Sequence, residues 1–231
     1  MNFLFKSEII DYEFSYGKEK TVLFLHGWGA DKNAFASTEN LLKSKFNILT
    51  LTMPTIKETT CVWTLQDYAT LVLNLLNLHN ITSCYIVCHS FGFRVASLVC
   101  KSFYVEKIVV TGGAGLKLYS PFKEIENNNK KIFLNKWKFL YNSIASEDYK
   151  NLSATNKQTF KNIVNLNTKN LVSFNCYMLL FWGNKDKETP TSFTKIIKKH
   201  NTCKIIMTKG AHFSYLKNNA LFNNEVNEFL C

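Results

Sequence analysis

The chain has 231 residues, of which 46% are apolar and 14% aromatic, which is the composition of a folded globular protein. Its formal net charge of +11 comes almost entirely from lysine, since Arg94 is the only arginine. No apolar run approaches the roughly 18 residues that span a bilayer, and no basic-aromatic motif typical of nucleic-acid binding is present. We therefore expect neither a membrane nor a nucleic acid as a partner.

Apolar runs alternate along the chain with stretches of helical period, a pattern that predicts a mostly parallel sheet flanked by crossover helices. In chain order, the first half of the sequence predicts an antiparallel pair of strands at residues 3–10 and 12–16, followed by a buried strand at 21–26. A helix at 31–42, a strand at 46–51 and a helix at 64–78 come next. The half ends with a strand at 83–88, a helix from Ser90 to about Phe103 and a strand at 106–111. Thr64 and Asp67 predict a capping box at the start of the second of these helices.

The pattern changes after residue 115. Residues 116–175 are polar and helical where they are periodic, at 131–144 and 157–164, and they hold ten lysines against four acidic residues. A strand at 177–182, a helix at 191–200, a strand at 204–207 and a helix at 221–230 then resume the earlier pattern. We expect an α/β core at 1–115 and 176–231, with 116–175 as a small helical lid inserted after the sixth strand.

The seven cysteines are scattered, with an odd total and no Cys-x-x-Cys pair, which argues against a disulfide framework and against a zinc site. The first six residues have too short an apolar stretch for a signal peptide and no small-residue cleavage site. These features predict a cytoplasmic protein without a bound metal.

The sequence Cys88-His89-Ser90-Phe91-Gly92 joins a buried strand to a helix. A serine at such a junction is typical of a nucleophile elbow, a strained turn that exposes the hydroxyl in a cleft. The turn also places the Phe91 N–H at a helix N-terminus, where backbone donors favour negative charge. Ser90 is therefore the candidate nucleophile.

A second motif, His26-Gly27-Trp28-Gly29, directly follows the first buried strand. Acyl transfer builds negative charge on the carbonyl oxygen, and two backbone N–H groups aimed at that oxygen stabilise it. The flanking glycines allow the Trp28 N–H to turn toward the pocket beside that of Phe91. These two amides form the predicted oxyanion hole.

Asp186 and His212 each follow a strand in the last third of the chain. A serine hydroxyl needs a base, and the base needs an acid that holds its tautomer. His212 is the one histidine in a loop after a C-terminal strand, whereas His79 and His200 end helices. We expect His212 to act as the base and Asp186 to orient it.

In this order of motifs the chain resembles the α/β-hydrolase superfamily over essentially its full length. The His-Gly-Trp-Gly motif and the small lid are similar to those of the pimeloyl-acyl-carrier-protein methyl ester carboxylesterases and of related carboxylesterases and C–C bond hydrolases. The resemblance implies a triad of Ser90, Asp186 and His212, an oxyanion hole from Trp28 and Phe91, and no cofactor. Three features depart from the family pattern: Cys88 and Phe93 replace glycines, and Thr52-Met53-Pro54 replaces Asp-x-Pro.

The predicted activity is hydrolysis of a carboxylic ester, small or carried by a protein, through an acyl-enzyme. The acyl pocket is expected to contain Trp28 and the lid aromatics Phe133, Trp137 and Phe139, for which plain packing of the lid is an equal alternative. The basic lid suggests an acidic acyl carrier protein as the partner. A C–C bond hydrolase, an acyl thioesterase and a non-catalytic binding protein of the same fold remain alternatives.

Overall fold

The computed structural model describes residues 1–17, 20–55, 57–116, 152–168 and 171–231. The strands are β1 (Asn2–Phe5), β2 (Glu8–Ser15), β3 (Thr21–Leu25), β4 (Asn47–Leu51), β5 (Ser83–His89), β6 (Tyr104–Thr111), β7 (Tyr177–Gly183) and β8 (Cys203–Thr208). The α-helices are α1 (Ala36–Leu42), α2 (Leu65–Leu78), α3 (Phe91–Ser102), α4 (Ala154–Asn165), α5 (Ser192–His200), α6 (Ser214–Lys217) and α7 (Asn219–Leu230).

The eight strands form one sheet in the order β1-β2-β4-β3-β5-β6-β7-β8. The first two pairings, β1 with β2 and β2 with β4, are antiparallel, and all the pairings from β4 to β8 are parallel. The predicted mostly parallel sheet is therefore confirmed. The carboxyl ends of β3, β5, β6, β7 and β8 meet at one edge, and all the candidate site residues that the structure describes follow these ends.

The sheet is covered on both faces, as the side chains of β3 illustrate. Leu23 and Leu25 pack in a cluster that contains residues of α2 and α3, while Val22 and Phe24 pack in a second cluster with residues of α7. Since both faces are buried, the strand is apolar at every position rather than at alternate ones. This is why the sequence predicts it as a continuous buried strand.

The opening hairpin differs from its prediction. Residues 3–10 are not one strand, because Lys6 and Ser7 form a two-residue turn with φ of 50° and 65° between β1 and β2. Turns of this kind usually carry asparagine or glycine, which adopt positive φ at little cost. Neither occurs here, so the sequence gives no signal for the turn.

The predicted capping box of α2 is confirmed: the Asp67 N–H donates to Thr64 Oγ1 at 3.2 Å, and the Thr64 N–H donates to Asp67 Oδ2 at 2.7 Å. The predicted helix at 31–42 is instead a 3₁₀ turn at Lys32–Phe35 followed by α1. Asp31 caps the 3₁₀ turn by accepting a hydrogen bond from the Asn33 N–H.

The segment between β6 and β7 is described from residue 152 to 168 and from 171 onward, so the predicted helix at 131–144 lies outside the described residues and the lid boundaries stay a prediction. The predicted helix at 157–164 forms the central part of α4. The Arg94 guanidinium of α3 donates to the carbonyl oxygens of Ile163 and Leu166, at 2.9 and 2.7 Å, and so holds the end of α4 on the core. None of the described helices is long and apolar enough to cross a bilayer.

Candidate active site

Ser90 lies between β5 and α3 with φ of 48° and ψ of −108°, a conformation that costs a non-glycine residue about 1–3 kcal/mol. Two backbone hydrogen bonds hold it there. The Ser90 N–H donates to the Thr111 carbonyl at 3.1 Å, and the Ala114 N–H donates to the Ser90 carbonyl at 3.0 Å. The end of β6 therefore maintains the strained turn that a nucleophile elbow requires.

Gly92 allows this turn to pack against β3. A Cβ at this position would lie 2.1 Å from the Leu25 carbonyl oxygen, closer than any real contact. Cys88, which replaces the other usual glycine, is fully buried, and its thiol donates to the Val109 carbonyl at 3.4 Å. Burial raises the pKa of the Cys88 thiol, so it stays protonated and behaves as a small apolar side chain. The elbow thus tolerates this departure from the family pattern.

The two amides of the predicted oxyanion hole are free in the described part of the chain. Neither the Trp28 N–H nor the Phe91 N–H donates a hydrogen bond to a described residue. The rings of Trp28 and Phe91 are in edge-to-face contact with their centroids 5.4 Å apart, which brings the loop after β3 against the start of α3. Two unpaired backbone donors beside a serine are what stabilisation of an oxyanion needs.

His26 holds the loop that contains Trp28. Its Nδ1–H donates to the Gly27 carbonyl at 2.7 Å, and its Nε2 accepts the Met53 N–H at 2.8 Å. Burial lowers the pKa of His26 to about 4, so the ring is neutral and keeps both bonds at physiological pH. The Gly29 N–H donates to Thr55 Oγ1 at 3.2 Å. The loop at 52–55, which departs from the family pattern, therefore holds the loop that contains Trp28 in place, through the Met53 N–H and the Thr55 hydroxyl.

Asp186 and His212 form a buried hydrogen-bonded pair. His212 Nδ1 donates to Asp186 Oδ2 at 3.0 Å, and the two side chains are 4% and 0% exposed. Burial raises the pKa of Asp186, but hydrogen bonds from His212 and Thr189 outweigh this effect, and the net pKa lies below its usual value. The carboxylate therefore stays ionised, as an acid that orients a histidine must be.

Two residues near this pair were missed by sequence reasoning. The Thr189 hydroxyl donates to Asp186 Oδ2 at 2.7 Å, and the N–H groups of Glu188 and Thr189 donate to Oδ1, each at 2.9 Å. Glu188 Oε2 lies 3.5 Å from His212 Nε2, the ring nitrogen that Asp186 does not contact. The motif Asp186-Lys-Glu-Thr-Pro was visible in the sequence, but which of its side chains turn inward depends on the loop geometry.

Ser90 and His212 lie at the same edge of the sheet, with no hydrogen bond between them. The Ser90 hydroxyl has no hydrogen-bond partner among the residues that the structure describes. Its neighbour across the sheet, Thr111, is followed by Gly112, where a Cβ would lie 3.0 Å from the His212 ring. The structure thus brings Asp186 and His212 together and places Ser90 at the end of β5, on the same edge of the sheet, with the third contact of a triad open.

His89 packs against His212 and has a structural role there. Its ring packs on that of His212 with the centroids 4.7 Å apart, and its Nε2 lies 3.3 Å from the His212 carbonyl oxygen. Burial lowers the pKa of His89 well below its usual value, and the nearby His212 ring lowers it further. The neutral His89 ring therefore supports the His212 backbone without adding charge to the site.

The apolar wall near the serine includes a residue that the sequence analysis did not name. The Trp28 ring contacts Phe160 of α4 with the centroids 5.0 Å apart. The predicted pocket residues Phe133, Trp137 and Phe139 lie outside the described residues, so their placement stays a prediction. A separate cleft of about 570 Å³ lies at the opposite edge of the sheet, around Tyr177 and Asn201, and does not include Ser90.

In the described part of the chain, no group of three histidine, cysteine, aspartate or glutamate side chains is placed to hold a metal ion.

The sheet order, the crossover helices and the position of Ser90 define the α/β-hydrolase fold, and comparison with solved structures confirms it. Similar structures include a hydrolase from Pseudomonas aeruginosa PA01 (14% identity, 100% of this chain and 97% of the other, TM-score 0.76). They also include a thermophilic esterase from Thermogutta terrifontis (14% identity, 96% and 93% covered, TM-score 0.72) and a meta-cleavage product hydrolase from Pseudomonas fluorescens IP01 (16% identity, 100% and 97% covered, TM-score 0.72). No protein-family model matches the sequence, and no curated protein sequence matches it significantly.

Proposed function

We propose that the protein is a serine hydrolase that cleaves a carboxylic ester through an acyl-enzyme intermediate. The observation that carries the proposal is the buried Asp186–His212 pair at the same sheet edge as the strained Ser90. The Trp28 and Phe91 amides at this edge donate no hydrogen bond to any residue that the structure describes. A protein that only binds a ligand has no need for a nucleophile, a base and an orienting acid at one edge.

In the proposed first step, Ser90 Oγ attacks the ester carbonyl while His212 Nε2 takes the hydroxyl proton. The hydroxyl has no other partner among the described residues, so no bond is broken when it turns toward Nε2. Negative charge develops on the carbonyl oxygen and is stabilised by the Trp28 and Phe91 N–H groups. Loss of one such donor typically costs about 3 kcal/mol.

The tetrahedral intermediate then collapses, the bond to the alcohol breaks, and His212 Nε2 returns its proton to the leaving oxygen. Water enters, gives its proton to the same nitrogen and attacks the acyl carbon, and Ser90 is released with its hydroxyl restored. Asp186 remains ionised throughout, holding the Nδ1–H tautomer and stabilising the imidazolium.

We infer that the acyl chain is apolar, because the Trp28 and Phe160 rings contact each other next to Phe91, the second oxyanion residue. The resemblance to the pimeloyl-acyl-carrier-protein methyl ester carboxylesterases suggests a carrier-bound ester as one substrate. The excess of lysine in residues 116–175 favours an acidic carrier. Turnover of such a substrate should then fall steeply between low and moderate salt, and turnover that is indifferent to salt contradicts the carrier proposal.

The same residues serve other acyl reactions, and the similarity to a meta-cleavage product hydrolase makes C–C bond hydrolysis the foremost alternative. An acyl thioesterase is a second alternative. Since the pocket rather than the fold decides the substrate, these alternatives are separated only by assay.

The test is a panel of p-nitrophenyl esters of short and medium acids, run beside the matching acyl thioesters and a vinylogous 1,5-diketone acid. We expect ester hydrolysis with the highest kcat/KM, and its loss in Ser90→Ala. Preferred cleavage of the thioester or the diketone selects the corresponding alternative. If no substrate turns over and a fluorophosphonate leaves Ser90 unlabelled, the protein is a binding protein of this fold.

A further inference from the structure

Glu188 places a second carboxylate at the histidine of the candidate site. Its Oε2 lies 3.5 Å from His212 Nε2, on the side of the ring opposite Asp186. Its side chain is 20% exposed, so the carboxylate is partly buried at this position. The mechanism described above uses Asp186 and leaves Glu188 without a role.

Lysine and arginine side chains of the described residues do not reach this carboxylate. Among the described residues no lysine or arginine lies within 4.0 Å of it, and the adjacent Lys187 is exposed and forms no ion pair. Burial raises the pKa of Glu188, the charge of Asp186 adds to this effect, and only His212 opposes it. Among the described side chains the ring of His212 is the one basic group in contact with Glu188, and a partly buried carboxylate is unfavourable unless a cation pairs with it.

Glu188 is close to the leaving alcohol of the ester, because it lies beside the nitrogen that returns a proton to that alcohol. His212 Nε2 must come within about 3 Å of the leaving oxygen to return the proton. Since Glu188 Oε2 is 3.5 Å from the same nitrogen, it lies no more than about 6.5 Å from that oxygen. A positive charge two carbons from the oxygen, as in an ester of an amino alcohol, spans this gap and reaches the carboxylate.

We propose that Glu188 binds a cationic group on the leaving alcohol and so makes the enzyme selective for esters of amino alcohols. The inference rests on the proposed ester hydrolysis by Ser90 and His212 and names the substrate class of that site. The cation supplies a partner for the carboxylate, which contacts no lysine or arginine among the described residues.

The test compares two butyrate esters of the same shape, those of choline and of 3,3-dimethylbutanol, in which a neutral carbon replaces the quaternary nitrogen. At pH 8 we expect kcat/KM to be about fivefold higher for the choline ester, the upper end of what a contact between partly exposed charges contributes. Glu188→Gln should bring the ratio close to one. The matched control Glu228→Gln removes the same charge from an exposed position on α7 and should keep the ratio.

The readout is the ratio of the two kcat/KM values, choline ester over neutral ester. Glu188 also contacts His212, but a general effect of the substitution on the histidine changes both rates alike and leaves this ratio unchanged. A ratio near one in the wild-type protein, or one that survives Glu188→Gln, overturns the proposal. If neither ester is hydrolysed, the proposed function fails, and the role of Glu188 is then tested separately by the binding of choline. In that case choline should raise the melting temperature of Ser90→Ala but not of the Ser90→Ala, Glu188→Gln double variant, and equal shifts in the two proteins overturn it.

Discussion

The substitution Asp186→Asn isolates the role of the buried acid with little change of shape. In the wild-type protein the carboxylate accepts four hydrogen bonds, two from backbone N–H groups at Oδ1 and two at Oδ2, from Thr189 Oγ1 and His212 Nδ1. An asparagine oxygen can replace Oδ1, but its NH₂ group then faces Nδ1 and forces that nitrogen to become the acceptor. The proton moves to Nε2, where it prevents His212 from accepting the Ser90 proton.

We expect kcat for a p-nitrophenyl ester to fall by about 10³–10⁴-fold, equivalent to about 4–5.5 kcal/mol, which is the loss that a reversed tautomer causes in serine proteases. The control is Asp11→Asn, which removes the same charge from a surface carboxylate that pairs with Lys32. It should retain activity within about twofold. Activity of Asp186→Asn within threefold of the wild type contradicts the assigned role of the acid.

Three further predictions concern stability. Thr64→Ala removes the capping box with Asp67 and should lower the free energy of unfolding by about 1 kcal/mol in urea titration, while an unchanged midpoint contradicts the cap. Gly92→Ala places a methyl group 2.1 Å from the Leu25 carbonyl and should cost at least about 3 kcal/mol, so a stable, active variant refutes the close approach. Burial raises the pKa of Glu39 to about 7, above its unfolded value of about 4.3, so its ionisation costs stability as the pH rises between the two. Glu39→Gln should therefore match the wild type at pH 4 and exceed it by about 1–2 kcal/mol at pH 8, and equal stability at both pH values counts against the shift.

The sheet was largely predictable because its strands are buried on both faces. β3 and β7 are apolar runs, β3 followed by the His26-Gly27-Trp28-Gly29 motif and β7 ending at Gly183, and their carboxyl ends share one edge by the rules of parallel sheets. The turn at Lys6 and Ser7 was missed because both residues adopt positive φ without the usual asparagine or glycine. Its conformation follows from the pairing of β1 with β2, a contact between strands that local sequence does not encode.

Chain order and strand ends were enough to predict that Ser90, Asp186 and His212 lie at one edge of the sheet, while their roles as a triad stay a prediction. The supporting contacts were not, because they join loops that follow different strands. The Met53 N–H donates to His26 only because the loops after β3 and β4 converge. The placement of Glu188 beside His212 depends in the same way on how the loops after β7 and β8 fold together.

The most direct test of the account is the site and rate of covalent labelling by a fluorophosphonate, measured by peptide mass spectrometry. We predict a single adduct on Ser90 that forms at least about 10³-fold more slowly in His212→Gln, because the hydroxyl then lacks its base. An adduct on another residue, or a labelling rate that does not change when His212 is replaced, contradicts the claim that these two side chains act together.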